Sequence, residues 1–433
     1  MRVRVVTPSL FAAVLFVALD AGATSGTAFG ESSRVAALAG AAVAPPGDSG
    51  SMLENPAGLG DVKEPELLLG ASVARLRLGF GRDGEAGSER TRTIGGFGLA
   101  VATPLPGPEW LARLRLGIAL YLPADRALRV AVDEREDRPL SPVYDGRPDR
   151  MSALGALGYA FGKELRVGLG VVMAPNLATP TEVSYDADRA DGVEKDVMVR
   201  LDRDLEMSLS PFFGVRAEPL EMLSLGVAYR AHAVSRASGS QRTVAGGILA
   251  DDPIDYYQFW DPARLSAGFA LGPWHGARLS FQATHARWSE FRTGMNRSLE
   301  PAFDDTLELG GGLEWQALPW LVARGGFRHE PSPIPPQTGP TNYLGADTEE
   351  LSLGAGADFR KLFRAPLALD VHARTRLSAE QSADKDPERL GDASASLPGQ
   401  QIDNLGYPGF RSSASYWQVG FSLKIFIGKE RKP

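Results

Sequence analysis

The sequence predicts an all-β fold: a 14-stranded antiparallel transmembrane β-barrel plugged by a small N-terminal hatch with short helices. Three observations predict it. Segments of about ten residues recur with period-two alternation, apolar on one face and rich in glycine and charge on the other. The connections between them alternate between long and short. A stretch of small residues, broken by proline, precedes them all and is too slight to bury a core of its own.

The alternation is plain in several segments. Leu114, Leu116, Ile118, Leu120 and Leu122 share one face, opposite Arg113, Arg115, Gly117, Ala119 and Tyr121. Leu165, Val167, Leu169, Val171 and Met173 oppose Arg166, Gly168 and Gly170; Leu223, Leu225, Val227 and Tyr229 oppose Ser224, Gly226, Ala228 and Arg230. Leu351, Leu353, Ala355, Ala357 and Phe359 oppose Ser352, Gly354, Gly356 and Asp358, and Leu367, Leu369, Val371, Ala373 and Leu377 oppose Asp370, His372, Arg374 and Arg376. A soluble sandwich also alternates, but its outer face is the polar one and its strands are usually shorter. Glycine and charge on one face suit a crowded lumen behind an apolar wall. Leu114, Leu116, Ile118, Leu351 and Leu353 are therefore expected to face lipid, and Arg115, Arg324, Asp370 and Arg374 to face inward.

Composition agrees with this class. The 433 residues include 49 glycines and no cysteine, so disulfide staples and thiolate metal sites are excluded. Mean hydropathy is -0.14, far too low for a helical membrane protein but compatible with a barrel in which only alternate residues meet lipid. The net charge of -7 argues against a nucleic-acid partner. Residues 1–23 read as a secretory signal, with Arg2 and Arg4 before an apolar centre and Ala21, Gly22 and Ala23 at a small-residue cleavage site; cleavage after Ala28 is an alternative. That apolar run is too short to span a membrane and Asp20 interrupts it.

Fourteen segments can be placed, at 65–80, 91–103, 110–122, 150–162, 164–175, 205–217, 220–233, 262–271, 275–290, 304–316, 319–330, 348–360, 365–379 and 413–427. The short connections are 104–109, 162–163, 218–219, 272–275, 317–319 and 361–364. The long ones include 123–149, 176–204, 235–261, 331–347 and 380–412. An even strand count with short turns inside and long loops outside is the expectation for a bacterial outer-membrane barrel. The organisation expected is a signal at 1–23, a hatch at 24–64, a barrel at 65–427 and a basic tail at 428–433.

Residues 29–59 carry a specific likeness. They are Gly/Ala-rich, punctuated by Pro45-Pro46-Gly47, and end in Asn55-Pro56-Ala57-Gly58-Leu59. Taken alone this ending is an ordinary turn; placed after a signal and before barrel-like strands, it resembles the hatch of the FadL/TodX family of outer-membrane transporters for long-chain fatty acids and hydrophobic compounds. Two further stretches are similar to that family. His285-Ala-Arg-Trp288-Ser289-Glu290-Phe291 closes a strand in the family's manner, although Trp and Phe also suit an interfacial girdle. Residues 307–359 keep the family's order, including Glu330-Pro331-Ser332-Pro333-Ile334-Pro335 after the strand holding Arg324. Residues 123–261 match in strand spacing only.

The resemblance implies capture of a hydrophobic small molecule at the outer loops, transfer to a lumen pocket beside the hatch, and release through the wall. Asn55, Pro56, Ala57 and Gly58 are the expected hatch and gating residues. Asn55 would hold the hatch end through its side chain, and Pro56 would fix the turn. Tyr257, Phe259 and Trp260 are the candidate apolar capture site, or else part of a girdle. Arg324 and Arg328 are candidate contacts for a ligand carboxylate, with interior salt bridges to Glu308 or Glu314 as the alternative. The loops at 176–204 and 235–261 depart from the family in being short and charged. Gly117, Gly95, Gly96 and Gly98 do not single out a lateral exit.

No catalytic constellation can be assembled. His232, His275, His285, His329 and His372 are dispersed without metal-ligand spacing, and Gly310-Gly311-Gly312 lies in a strand with no helix after it. The expectation is a non-enzymatic, cofactor-free and metal-free monomer in the outer membrane of a Gram-negative cell. It would contact membrane lipids and pass a fatty acid, other lipid or hydrocarbon. A general diffusion porin and a structural barrel are the alternatives.

Overall fold

The computed structural model describes residues 31–85, 87–124, 139–141, 151–178, 181–185, 197–201, 204–245, 248–294, 296–390 and 404–428. The proposed signal, the first residues of the expected hatch and nearly all of the basic tail lie outside these.

Fourteen strands form the wall. They are β1 (Glu66–Arg82), β2 (Ser88–Pro104), β3 (Leu114–Pro123), β4 (Ser152–Phe161), β5 (Leu165–Ala178), β6 (Asp204–Leu220) and β7 (Leu223–Arg230). The second half is β8 (Arg264–Trp274), β9 (Ala277–Ala286), β10 (Thr306–Leu318), β11 (Leu321–Glu330), β12 (Thr348–Asp358), β13 (Leu367–Ser378) and β14 (Gly409–Phe426). Each pairs antiparallel with the next, and β14 returns to β1 in a ladder from Glu66↔Phe426 to Arg82↔Phe410. Closure leaves no strand edge unpaired, which an apolar surround demands of any spanning sheet. Every strand expected from the sequence has a counterpart. No helix among the described residues is long and apolar enough to cross a membrane, which says nothing of strands.

The facing follows the period of two. Ile118, Leu351 and Leu353 are well exposed on the outside, Leu353 to 60%. Arg374 and Asp370 are buried on the inside, and the Arg324 side chain is 8% exposed. Register shifts between paired wall strands fall at the short-turn end, near Ala217, Leu271 and Gln316. The ladders of β3 with β2 and β4 run without a shift, so Gly117 marks no break in the wall.

The long-loop end differs from expectation. Residues 235–261 are not an open loop: Ala233–Ala245 and Ile248–Asp261 pair as a hairpin beyond β7 and β8. Thr181–Tyr185 and Val197–Leu201 form a second hairpin, and Ala233–Ala245 runs parallel to Thr181–Tyr185. The charge and the Asp-Asp-Pro at 251–253 depress β-propensity and hide these strands in the sequence. β9 also stops at Ala286 rather than 290. The chain turns there through Trp288–Glu290, whose Ser289 N–H donates to Asp305 Oδ1 at 2.8 Å.

A cysteine-free chain allows a clean test of facing. Single nitroxide labels at 349–357 should alternate, with 351, 353 and 355 accessible to membrane-dissolved oxygen and 350, 352 and 354 shielded. Leu353→Arg should destabilise the folded barrel by about 2–4 kcal/mol if it sits near mid-bilayer, read by chemical unfolding in lipid vesicles. Equal label accessibility on both sets would contradict the register.

Candidate functional site in the barrel lumen

The hatch begins with α1 (Ser33–Ala37), whose N-cap Ser32 accepts from the Val35 N–H. Turns follow until Asn55 caps a 3-10 segment, Pro56–Asp61. Pro45, Pro46 and Pro56 prevent any longer helix, and small side chains let the segment fold tightly. Val43, Met52 and Leu59 pack with Leu68, Ala100, Leu154 and Phe212 of the wall. The hatch thus shares its core with the barrel.

Asn55 holds the end of the hatch. Its Nδ2 donates to the carbonyls of Val43 at 2.8 Å and Val215 at 3.2 Å, while Oδ1 accepts from the Ala57 N–H at 3.0 Å. One side chain therefore ties two hatch segments to β6. The wall makes room with glycine. A Cβ at Gly214 would sit 2.1 Å from Asn55 Oδ1, and one at Gly168 would sit 2.2 Å from the Pro56 carbonyl carbon. Neither contact survives a side chain. Ala57 is fully buried, and Gly58 lies against the backbone of Gly47.

Charge fixes the rest of the hatch. Arg34 forks onto Glu314 of β10, with Nε to Oε1 at 2.9 Å and Nη2 to Oε2 at 3.0 Å. Asp48 meets Lys424 of β14 at 2.6 Å and Arg34 at 3.4 Å. Asp61 receives Arg166 at 2.8 Å and Arg216 at 2.6 Å, and Glu31 pairs with Arg374 at 2.9 Å. Burial alone would raise the Asp48 carboxyl, but Lys424 and Arg34 outweigh it and hold it below the ordinary range. Removing one partner from such a buried pair costs far more than the pair itself contributes.

The candidate ligand contacts are placed as follows. Arg324 bridges Glu314 at 3.0 Å and Asp370 at 2.5 Å. Arg328 pairs with Glu308, and with Glu330 at 3.0 Å. Both guanidiniums thus have interior carboxylate partners, while Arg328 also lines a cavity beside Glu54, Phe212 and Thr284. That cavity measures about 320 Å³ with the solvent space it opens to. A second, of about 490 Å³ on the same measure, lies between Ser49, Met52 and Leu53 of the hatch and Leu68, Gly98 and Tyr121 of the wall. No group of described residues has the makings of a metal site.

Tyr257, Phe259 and Trp260 lie at the outer end. Phe259 and Trp260 are buried, and Tyr257 is half-buried beneath the Arg236 guanidinium, 4.7 Å from its ring. Trp260 packs 5.9 Å from Trp288 and 5.6 Å from Phe291, and Phe303 and Tyr343 complete the cluster. Residues 331–347 fold over it. Asn342 Nδ2 donates to Asn404 Oδ1 at 3.0 Å, and Lys385 Nζ reaches the carbonyls of Gly339 and Thr341 at 2.8 and 2.6 Å. Sequence reasoning had Trp288 and Phe291 as a strand ending and missed their union with Trp260. It also missed Arg34, Asp48, Asp61 and Lys424, because a lone charge in a hatch or strand does not name its partner.

No family model and no curated protein matches this chain. Solved structures do. A Pseudomonas aeruginosa FadL homologue superposes with a TM-score of 0.62 at 14% identity, covering 95% of this chain and 100% of that one. The Pseudomonas putida toluene transporter TodX gives 0.55 at 13% identity over 94% and 100%. CymD, a monoaromatic hydrocarbon channel, gives 0.51 at 14% over 94% and 100%. The chain has the FadL/TodX fold. At these identities the likeness is one of architecture, and it extends over nearly the whole chain.

Asn55→Ala removes hydrogen bonds to buried groups and should weaken the hatch by about 1–3 kcal/mol. Gly214→Ala should loosen the same seat by displacing Asn55. Hydrogen exchange at 31–62 should quicken in both variants, while heat-resistant barrel migration persists. Acid should act similarly. The contribution of Asp48 is complete above the ordinary aspartate value of 3.8 and is lost as pH falls below it. Unchanged exchange in Asn55→Ala would remove Asn55 from this role.

Proposed function

We propose that this protein is an outer-membrane channel for passive uptake of hydrophobic small molecules, gated by its hatch. The observation that carries the reading is a closed barrel whose lumen is filled by a separate N-terminal segment, seated on wall glycines beside two cavities. A structural barrel has no need of a plug tied down by single side chains. The architecture shared with a FadL homologue and two hydrocarbon channels supports the same reading. The export signal at 1–23 and a single-chain barrel in the outer membrane are part of the proposal.

In this proposal Asn55, Pro56, Ala57 and Gly58 are the latch. Asn55 carries the bonds, Pro56 sets the turn, and Ala57 and Gly58 leave room against Gly168 and Gly47. Tyr257, Phe259 and Trp260, the last of them in the aromatic cluster with Trp288 and Phe291, receive an apolar solute at the outer rim. Arg328 is the ligand-facing member of the arginine pair, while Arg324 braces β10, β11 and β13 through Glu314 and Asp370.

Planar bilayers separate this reading from a general diffusion porin. The intact protein should conduct ions weakly, and deletion of residues 24–60 should raise conductance sharply. Proteoliposomes holding the intact protein should take up an uncharged apolar dye faster than empty ones. High conductance with the hatch in place would favour the porin. Unchanged conductance and uptake in a correctly folded deletion variant would end the gating proposal.

A further inference from the structure

The outside of the wall changes character along β1. Ala74 and Leu76 turn inward and are buried with Ile94 and Tyr416, so the residues alternating with them face out. That outward series runs through Leu69 and Val73 to Arg75 and Arg77. Below Arg75 the surrounding wall is apolar, with Phe97 and Leu99 of β2 and Val419 and Phe421 of β14 all exposed. Above, it becomes polar. Arg75 stands opposite Thr93 on one side and Trp417 on the other, and Arg77 stands opposite Thr91 and Ser415. β1 rises from the short-turn end, and Arg75 follows its first residue, Glu66, by nine positions. For a strand tilted by about 40° that is about 23 Å of height, close to the full apolar band of about 25 Å. Trp417, exposed on the same rung, is of the type that settles at headgroup level. The two arginines therefore meet the outer leaflet where its headgroups begin.

Their charge is poorly answered from within the protein. Among the described residues the exposed Arg75 side chain has no ion pair or hydrogen bond. The Arg77 Nε lies 3.8 Å from Glu89, and both side chains are well exposed. Arg411, further out on β14, stands 3.9 Å from Asp83 and from Glu380. Contacts of this length between exposed groups contribute little. Arg75 and Arg77 also share one face about 7 Å apart along the strand, so they repel unless an anion lies between them. A guanidinium offers phosphate paired N–H donors, and neighbouring hydroxyls can fill the remaining oxygens.

We propose that Arg75 and Arg77 form a docking site for the phosphate of an anionic lipid in the outer leaflet. Thr91, Thr93 and Ser415 are its hydroxyl partners, and Val73, Phe97 and Trp417 lie against its acyl chains. Charge complementarity names the occupant, because a neutral lipid leaves both arginines uncompensated at the headgroup level. The site is on the outside of the barrel and does not depend on the transport reading. A lipid held there grips β14, β1 and β2, the seam at which the barrel closes.

Dioleoyl phosphatidic acid is a suitable probe, with monoglucosyl dioleoylglycerol as the phosphate-free counterpart and inorganic phosphate as the free ion. Lipids bound to the intact protein in detergent can be counted by native mass spectrometry. Phosphatidic acid should bind at least about tenfold more tightly than the glucosyl lipid, and Arg75→Gln should remove most of that preference. Arg75→Lys should keep part of it. Arg287→Gln, which removes an exposed cation elsewhere at the outer end, should leave it intact. Thr93→Glu sets a carboxylate opposite Arg75 and should weaken phosphatidic acid several-fold, which keeps the test decisive if Arg75→Gln fails to fold. A nitroxide on Ser415→Cys should lose mobility when phosphatidic acid is added. No preference for the phosphorylated lipid, or a preference indifferent to both Arg75→Gln and Thr93→Glu, overturns the site. An equal loss in Arg287→Gln reduces the binding to general charge attraction and overturns it too. Inorganic phosphate slowing the label as strongly as the lipid overturns the lipid assignment. Uptake of the uncharged dye judges the transport reading separately, so either proposal can fail while the other stands.

Discussion

Buried charge must be paired, and in this barrel the wall cannot pair all of its own. The lumen face of a wide barrel is polar because the other face must be apolar. Once the hatch fills that lumen, the inward Arg, Lys, Asp and Glu side chains lose water and need partners. Part of that need is met across strands, as by Arg324 with Asp370 and Arg376 with Glu330. Much of the rest is met by the hatch, where Glu31, Arg34, Asp48 and Asp61 each face an opposite charge on the wall. Hatch and wall are therefore one electrostatic unit, and neither has its charges balanced without the other.

Hatch and wall are nonetheless held by different kinds of contact. About half of the hatch residues are alanine, glycine or serine, and the larger apolar side chains Val43, Met52 and Leu59 pack into the wall. The fixity of the hatch comes from ion pairs and from hydrogen bonds to the wall, among them Ser33 N–H to Ser422, Val43 N–H to Gln282, Arg216 and Ser224 to the Ala44 carbonyl, and Asn55 to the Val215 carbonyl. Such contacts are directional and fail over a short displacement, whereas the wall is held by a continuous ladder of backbone bonds. Hatch and wall thus rely on different interactions.

The outer end is closed by a different chemistry. There Trp260, the Trp288, Phe291 and Phe303 of the β9–β10 connection, and Tyr343 from residues 331–347 pack into one cluster. Asn342 and Lys385 tie that segment by hydrogen bonds to loop backbone and to Asn404. A charged lumen thus lies between an aromatic layer outside and a small-residue hatch inside.

The sequence alone determined the class, the number of strands, the facing of each and the existence of a plug. Period two is local: it survives in each segment without knowledge of its neighbours, and so Leu353 and Arg374 could be assigned to opposite faces of the wall. The capped turn at Asn55 was legible for the same reason, since an Asn before a proline acts within its own turn. What the tertiary structure decided was partnership. Arg324 reads alike whether it meets a ligand or Glu314, and only the registers of β10, β11 and β13 bring it to two carboxylates. The hairpins at 181–201 and 233–261 stayed hidden because their pairing outweighs poor local propensity. The rung of Arg75 and Trp417 was equally invisible, for the two residues are far apart in sequence and meet only when β14 closes against β1.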